Sequence, residues 1–273
     1  MISTITFTPS GGSAITIHSV AIGSTAVVTR AEGLQGSPMI REVKTFKGQQ
    51  SGAYIRSKYL DARSITLEGE IIGSSIEASF DRYDAIANGF MQSINTPGSL
   101  KWTRDSSGQA LQIDCQLQAL SPLVLSNGGN MLQYQVTLVA ANPRVLDQSE
   151  TTANSDIITN AASGATAYFS NAGSMPTAPK IRVYGALDAP WVRLTTGAGL
   201  LFTGTVADGN YLEIDVLNRT VKTNGSTNAL STLNAAQSDW FELPAGSSTV
   251  KLSGSGSVSA NTKLQLIYRS AWA

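Results

Sequence analysis

The sequence has few of the residues on which most catalytic and metal-binding sites depend. In 273 residues it contains one histidine, His18, and one cysteine, Cys115. A single cysteine excludes an internal disulfide, and one His with one Cys cannot complete a usual zinc site. A Ser-His-Asp system would have to use His18, which lies in a strand-like run and is interpreted as structural. We therefore predict no catalytic, cofactor-binding or metal-binding residues.

Charged residues are also scarce, at 14% of the chain, and 19 basic residues balance 19 acidic ones. Soluble domains usually carry about 25% charged residues. An uncharged polar surface suits subunits that pack together, because burying a charge costs desolvation energy, and it equally suits extracellular β modules. The most basic stretch, residues 30–63, holds seven basic and three acidic residues. We interpret it as a solvated or salt-bridged sheet face and not as a phosphate-binding patch.

Long apolar runs are absent from the sequence. No segment reaches the roughly 20 apolar residues needed to span a bilayer, so we expect no membrane insertion. The first residues, MISTITFTP, lack a basic region and a cleavage site. We therefore expect no signal peptide and predict synthesis in the cytoplasm.

Short runs of alternating apolar and polar residues dominate the sequence and predict β-strands. In the first half they are clearest over residues 2–8, 64–71, 111–119 and 132–140. In the second half they cover residues 180–184, 191–194, 200–202, 211–216, 220–222, 249–252 and 264–268. The dipeptide Asn224-Gly225 predicts a tight turn. This spacing predicts a mainly β chain with two β-sandwich domains.

One segment, residues 75–94, has helical periodicity instead. Its apolar residues recur every three or four positions, at Ile76, Phe80, Tyr83, Ala87, Phe90 and Ile94. A capping box of Ser74 and Glu77 is predicted at its start. We expect the face with Phe80 and Phe90 to be buried against a sheet, and the acidic face with Asp81 to be exposed.

The composition changes after residue 143. Residues 147–164 are rich in Ser, Thr, Asn, Ala and Gly, which is typical of a connector. The predicted organisation is an N-terminal β-sandwich domain over residues 1–148, with the helix at 75–94. A connector over 149–164 and a second β-sandwich domain over 165–273 follow.

Two features of the strands have competing interpretations. Glu68 and Glu70 share a strand face and could form the carboxylate pair of a glycosidase. Pairing with Arg or Lys on a neighbouring strand is the favoured interpretation. Cys115 lies on the apolar face of its strand, so we interpret it as a buried, inert residue and not as a nucleophile.

Trp191, Trp240 and Trp272 are the remaining candidates for ligand contact. Exposed tryptophans on a β-sandwich can stack on sugar rings. Core or interface packing is favoured, because apolar residues such as Val192 and Phe241 are adjacent. The alternative function is therefore a carbohydrate-binding β-sandwich module, such as that of an adhesin.

Several segments, in this order, resemble the distal tail protein family of siphophages. In the first half they are YLDARSITLEGEIIG over residues 59–73, the helix that follows, and AANPR over 140–144. In the second half they are NAG over 171–173, PKIRVYG over 179–185, LEID over 212–215, TVKTNG over 220–225 and FELPAG over 241–246. One departure is Ser247-Ser248, where the family often has Asn.

The resemblance implies a structural virion protein of the phage tail tip and not an enzyme. It implies that the N-terminal domain assembles into a hexameric ring with an open lumen through which DNA passes. It also implies a galectin-like C-terminal sandwich that serves as a docking platform for receptor-binding or baseplate proteins. The other implied partners are the tail tube protein and tail-associated proteins of the tail tip. Balanced charge is consistent with a conduit that does not hold DNA.

Overall fold

The computed structural model describes residues 2–21, 25–36, 38–46, 53–104, 107–121, 124–125 and 130–273. Two units make up the chain: unit 1 is Met1–Gln148 with the last residue, Ala273, and unit 2 is Ser149–Trp272. Both units are built mainly of antiparallel strands, which confirms the mainly β fold. Within the described ranges there is one α-helix, in unit 1.

Unit 1 is an antiparallel sheet with a helix and a separate hairpin. Its described strands are β1 (Ile2–Thr8), β2 (Ile15–Ser19), β3 (Ala26–Glu32), β4 (Ile40–Phe46), β5 (Ala53–Leu60), β6 (Arg63–Ile72), β7 (Gly98–Arg104), β8 (Ala110–Leu120), β9 (Val124–Leu125), β10 (Met131–Ala140) and β11 (Val145–Asp147). The helix α1 spans Ile76–Met91. The sheet order is β2-β1-β7-β8-β10-β6-β3, with β9 on β10 and β11 on β8, whereas β4 and β5 pair only with each other among the described strands.

The sheet of unit 1 closes on itself. Strand β8 connects its two halves, because the first part of β8 pairs with β7 and the last part with β10. The two end strands also meet, since Val28 N–H on β3 donates a hydrogen bond to His18 Nδ1 on β2 at 3.0 Å. The enclosed core includes the fully buried side chains of Trp102, Phe7, Phe90, Ile5, Ile17, Ile65, Leu67 and Ile71.

The helix is shorter than the predicted span of 75–94. Its N-cap is Ser75, whose Oγ accepts a hydrogen bond from Ala78 N–H at 3.2 Å. The predicted capping box of Ser74 and Glu77 is therefore wrong by one residue. A cap one residue later still satisfies one of the free N–H groups of the first turn.

The buried face of the helix also differs from the prediction. Phe90 is fully buried, and its ring lies 4.7 Å from that of Phe7. Phe80, which was predicted to be buried, is 39% exposed. The prediction for Phe80 is therefore wrong.

Small residues explain why the side of the helix that faces the sheet is not centred on the apolar stripe predicted from the sequence. Gly89 faces Ile15 so closely that a Cβ at residue 89 would lie 2.0 Å from Ile15 Cδ1. Ser79 is fully buried, and its Oγ donates to Asn130 C=O at 2.7 Å. These contacts bring one side of the helix close to the sheet and leave Phe80 at the outer side.

Unit 2 contains two facing sheets. Its strands are β12 (Thr151–Asn154), β13 (Ala165–Asn171), β14 (Lys180–Tyr184), β15 (Leu187–Leu194), β16 (Gly199–Leu201), β17 (Thr205–Val206), β18 (Tyr211–Asp215), β19 (Thr220–Thr223), β20 (Thr227–Asn228), β21 (Gly246–Ser255), β22 (Lys263–Tyr268) and β23 (Ala271–Trp272). One sheet has the order β12-β22-β14-β18-β19-β20, and the other has β13-β21-β15-β16 with β17 on β15. Both sheets contribute to one buried apolar cluster, as in a β-sandwich.

Residues 149–164, for which the sequence predicts a connector, are part of unit 2. Strand β12 pairs with β22, and Leu264 N–H donates to Ser155 Oγ at 2.9 Å. Ile158 belongs to the buried cluster of the sandwich. A fragment that contains the whole sandwich therefore has to begin near residue 149.

Candidate interaction surfaces

Both ring nitrogens of His18 form hydrogen bonds with backbone groups. Because Nδ1 accepts a hydrogen bond from Val28 N–H, the proton of the neutral ring lies on Nε2, which donates to Ile2 C=O at 3.2 Å. The side chain is largely buried. His18 thus connects β1, β2 and β3, and neither nitrogen is available to act as a base.

Replacing His18 with alanine should lower the free energy of unfolding of unit 1 by about 1–3 kcal/mol, because two backbone groups lose their partner. Thr29→Ala, at an exposed position on β3, removes only an exposed hydrogen bond from Thr29 Oγ1 to Glu68 C=O and should change it by less than about 0.5 kcal/mol. Denaturant titration followed by hydrogen exchange of unit 1 peptides measures both. If the two variants are equally stable, the hydrogen bonds of His18 contribute nothing to the closure of the sheet.

Cys115 is buried on the inner side of β8. Burial raises the pKa of its thiol to about 12, and the neighbouring Asp114 carboxylate also acts to raise it. The thiolate is the reactive form of cysteine, so this position disfavours nucleophilic chemistry.

Native Cys115 should therefore react with Ellman's reagent at pH 8 at least about 100-fold more slowly than in the unfolded chain, because little thiolate forms and the sulfur is covered. The comparison is made with and without guanidinium chloride. A fast native reaction would show that β8 opens to solvent.

Glu68 and Glu70 lie on the outer face of β6, at an open cavity of about 310 Å³. Gln135 Nε2 donates to Glu68 Oε1 and Gln133 Nε2 donates to Glu70 Oε1, both at 3.1 Å. Arg30 Nη1 lies 3.6 Å from Glu68 Oε1. The two carboxylates thus have cross-strand polar partners, and the described residues hold no cluster of three His, Cys, Asp or Glu side chains.

The three candidate tryptophans differ in exposure. Trp191 is 37% exposed, and the guanidinium carbon of Arg193 lies 4.2 Å from the centre of its ring. Trp240 and Trp272 are half-buried. The ring of Trp191 is thus the most accessible, but Arg193 occupies one of its faces.

The outer side of α1 combines apolar and acidic residues, and we call it the helix surface: Phe80, Ala87 and Met91, with Glu77, Asp81 and Asp84 beside them. The spacing of seven and four residues places the three apolar side chains on one side of the helix, and the acidic ones form the adjacent row. Phe80 and Met91 are exposed, as are the three acidic residues. Within the described residues none of these carboxylates forms an ion pair.

The β4–β5 hairpin is the second unusual surface of unit 1. Its strands pair only with each other among the strands described. At its base Met39 is 77% exposed, and Ile40 and Tyr59 are also exposed. Residues 40–60 contain five basic residues and one acidic residue. We call residues 40–60 the basic hairpin; its residues 47–52 lie outside the described residues.

In unit 2 the outer face of the larger sheet carries a pair of aromatic rings. The ring centres of Tyr184 and Tyr211 are 5.5 Å apart. Arg182 lies over the Tyr211 ring at 5.2 Å, and its Nε donates to Glu213 at 2.8 Å. This hydrogen bond raises the pKa of Arg182. Aromatic and planar polar side chains thus share one outer face of the sandwich.

Unit 2 also has a cavity of about 120 Å³. Phe202, Val206, Leu212 and Ala229 supply apolar lining, and Asn210 is among its polar residues. This volume is below the roughly 300–1,000 Å³ of typical ligand sites, and is nearer that of one apolar side chain.

The sequence of unit 2 matches a known family of phage tail proteins. Residues 172–272 match the family model for the siphovirus-type tail component, C-terminal domain. The resemblance to siphophage distal tail proteins is confirmed. Among curated protein sequences none matches the chain.

Solved structures of two phages share the fold over both units. The Dit protein (gp 19.1) of phage SPP1, described as a paradigm of the hub adsorption apparatus in phages that infect Gram-positive hosts, has a TM-score of 0.70 and 13% identity, over 98% of this chain and 99% of that one. A chain of the phage P2 baseplate, activated with Ca, has a TM-score of 0.56 and 8% identity, over 98% of each chain. The P2 baseplate activated with Sr gives a TM-score of 0.54 and 10% identity, over 97% of each chain. This chain therefore has the fold of the SPP1 distal tail protein.

Two of the segments that resemble distal tail proteins meet at Arg63. Its Nε donates to Pro143 C=O at 2.7 Å, and its Nη1 donates to Gly33 C=O at 2.9 Å. Burial lowers the pKa of this guanidinium. Arg63 thus ties the start of β6 to the segment after β10, so YLDAR and AANPR are in contact in the fold.

The NAG segment of the distal tail resemblance is explained by Asn171, which is fully buried. Its Nδ2 donates to Met175 C=O at 2.8 Å, and its Oδ1 accepts hydrogen bonds from the N–H groups of Gly173 and Ala271 at 3.1 and 3.2 Å. A Cβ at residue 173 would lie 1.8 Å from Ala271 O, so only glycine fits. No periodicity signals such a residue, and the NAG pattern was its only trace in the sequence.

Proposed function

We propose that the chain is a structural virion protein that forms a ring at the distal end of a phage tail. It joins the tail tube to the tail tip or baseplate, carries no catalytic activity, and leaves a lumen through which DNA passes. The observation that carries this proposal is the combination of the family match over residues 172–272 with the SPP1 Dit fold over both units.

The basic hairpin supports assembly with further copies of the chain. An isolated two-stranded hairpin is marginally stable in water, so β4 and β5 need a partner that the described strands of unit 1 do not supply. The exposed apolar residues at its base are suited to burial in a contact between subunits. A hexamer is the stoichiometry that the family resemblance implies.

Docking of receptor-binding or baseplate proteins is assigned to unit 2. Five of its large apolar side chains are exposed: Ile157, Tyr168, Trp191, Leu217 and Leu230. Tyr168 is 75% exposed, and aromatic residues are enriched at protein–protein interfaces. The cavity at Phe202 is the size needed to receive one apolar side chain of such a partner.

The absence of catalytic activity is supported by the states of the candidate residues. Both nitrogens of His18 are hydrogen-bonded to backbone, and the thiol of Cys115 is buried.

In the described part of the chain no helix is both long and apolar enough to cross a membrane.

Negative-stain images of the purified full-length chain test the proposal. Six-fold rings, together with the protein in purified virions by mass spectrometry, are the expected result. A chain that remains monomeric at about 100 µM and is absent from virions would overturn it. Sedimentation velocity on two fragments tests which unit forms the ring. Residues 1–148 are expected to assemble, and residues 149–273 are expected to stay monomeric.

A carbohydrate-binding module is the second candidate, favoured by one observation. The Tyr184–Tyr211 pair forms an aromatic surface with Arg182 and Lys263 over its rings, and Glu213 and Gln265 lie beside it. Glycan-array binding that is lost in Tyr184→Ala with Tyr211→Ala, and retained in the buried-core variant Val183→Ala, would support it. Absence of binding to any host-wall glycan would leave the ring as the function.

A further inference from the structure

We infer that the helix surface of one copy is the docking site for the basic hairpin of the next copy. This inference rests on the proposed ring, and it names the two surfaces that meet within it. Neither the apolar stripe of the helix surface nor the sheet edges of the basic hairpin are covered by the described residues of unit 1.

Charge is distributed unevenly in unit 1: the hairpin is basic, the rest of the unit is acidic, and the helix surface contributes three of its acidic residues. Residues 1–148 carry eleven basic and eleven acidic residues. Five of the basic residues and one of the acidic residues belong to the basic hairpin, which leaves six basic and ten acidic residues on the rest of unit 1. The hairpin thus has a net charge of +4 and the remainder of the unit has −4, although the unit as a whole is neutral.

Two acidic areas on the surface of unit 1 could receive the hairpin, and they differ in their neighbours. Glu68 and Glu70 on β6 are held by Gln135 and Gln133, and Arg30 lies close to Glu68. The acidic residues of the helix surface have no such partners among the described side chains. A charge that is already compensated gains little from a new partner, so the helix surface is the better acceptor.

Apolar area favours the same site. Phe80 and Met91 are exposed beside the acidic row, as Met39, Ile40 and Tyr59 are at the base of the hairpin. Contact between the two would bury both apolar groups, with the charged residues around them. An apolar centre with a polar rim is the usual composition of a specific interface.

Over the described residues, the hairpin has no extensive packing contact with the helix of its own chain. Helix α1 packs against β1, β2, β6, β8 and β10, and the described parts of β4 and β5 have no comparable contact with it. The occupant of the helix surface is therefore assigned to a second copy of the chain.

Reciprocal charge reversal in the full-length chain tests the inference by sedimentation velocity. Asp81→Lys with Asp84→Lys should weaken assembly at least about tenfold, and so should Lys44→Glu with Arg56→Glu. Combining all four substitutions should restore most of the assembly. Glu68→Lys with Glu70→Lys makes the same change in charge at the other acidic area and should leave assembly unchanged.

Cross-linking gives a second readout, because the one native cysteine is buried. Full-length Tyr59→Cys mixed with full-length Met91→Cys should form a mixed dimer with a short bismaleimide. Tyr59→Cys mixed with Gln135→Cys, on the outer face of β10, should not.

The outcomes separate this inference from the proposed function. One possible result is that the wild type and both charge-reversal variants assemble, and that only the control cross-link, between Tyr59→Cys and Gln135→Cys, forms. In that case the ring stands and the docking site is wrong. If the wild type does not assemble, the proposed ring fails and the inference with it. If only the hairpin variant loses assembly, and it also loses salt-dependent binding to a short DNA duplex, the hairpin binds nucleic acid and the inference is overturned.

Discussion

Phe90→Ala should lower the free energy of unfolding of unit 1 by about 3–5 kcal/mol, because it removes a fully buried ring that packs against Phe7. Phe80→Ala, on the outer side of the same helix, should cost no more than about 1 kcal/mol, because much of that ring is already in water. Denaturant titration followed by hydrogen exchange of unit 1 peptides distinguishes the variants and leaves unit 2 as an internal reference.

The pair Phe90 and Phe80 is a sharp test because both residues belong to the apolar stripe visible in the sequence. Asp84→Ala, on the exposed acidic row, should stay within about 0.5 kcal/mol and gives the baseline. Equal losses for the two phenylalanines would mean that the helix packs through its apolar stripe and that the close contact at Gly89 is absent.

The strands were the most predictable part of the fold. In β6 the alternation of apolar and polar residues places Ile65, Leu67 and Ile71 in the core, where they are fully buried. The predicted turn at Asn224-Gly225 has positive φ at both residues, 52° and 70°, as a tight hairpin turn requires. An apolar residue at every second position determines which face of the strand is buried. The sequence alone therefore predicts which side chains of such a strand lie in the core.

The face of the helix could not be predicted in the same way. Apolar periodicity assumes that the largest apolar side chains face the sheet, but the contact is made largely by Ser79, Ile86, Gly89 and Phe90. Small residues permit close approach of the helix to the sheet. Whether such an approach occurs depends on the residues opposite, here Ile15 and Asn130. That partner is distant in sequence, so no local pattern reports it.

The candidate surfaces were visible in the sequence but were interpreted incompletely. The basic character of residues 30–63 is apparent, and the sequence favours a solvated or salt-bridged sheet face, which holds for Arg30 beside Glu32 and Glu68. Strand pairing adds the missing fact, because β4 and β5 pair with no other described strand. The same applies to the apolar stripe on the helix, whose exposure follows from the sheet contact and not from its composition.

The variant with the largest expected effect in unit 2 is Asn171→Ala. The asparagine side chain lies at the end of β13, where Nδ2 contacts the carbonyl oxygens of Met175, Leu243 and Pro244, and Oδ1 accepts from two backbone N–H groups. Each buried polar group that loses its partner costs about 1–3 kcal/mol. We therefore expect a loss of at least about 4 kcal/mol in the free energy of unfolding of unit 2, measured by denaturant titration.

Two comparison variants identify hydrogen bonding as the cause. Asn154→Ala removes an asparagine whose Oδ1 accepts one exposed hydrogen bond, from Gln265, and should cost less than about 0.5 kcal/mol.

Asn171→Asp preserves the shape of the side chain but replaces the donor with an oxygen that faces carbonyl groups. In its protonated form the introduced carboxyl group can donate one hydrogen bond to a carbonyl oxygen and so replace part of the amide. The Asn171→Asp variant should therefore be less destabilised in mild acid than at neutral pH, which hydrogen exchange of unit 2 peptides at the two pH values measures. Wild-type stability of this variant at neutral pH would show that volume, and not the donor, holds the 171–175 turn to residues 243–244 and 271.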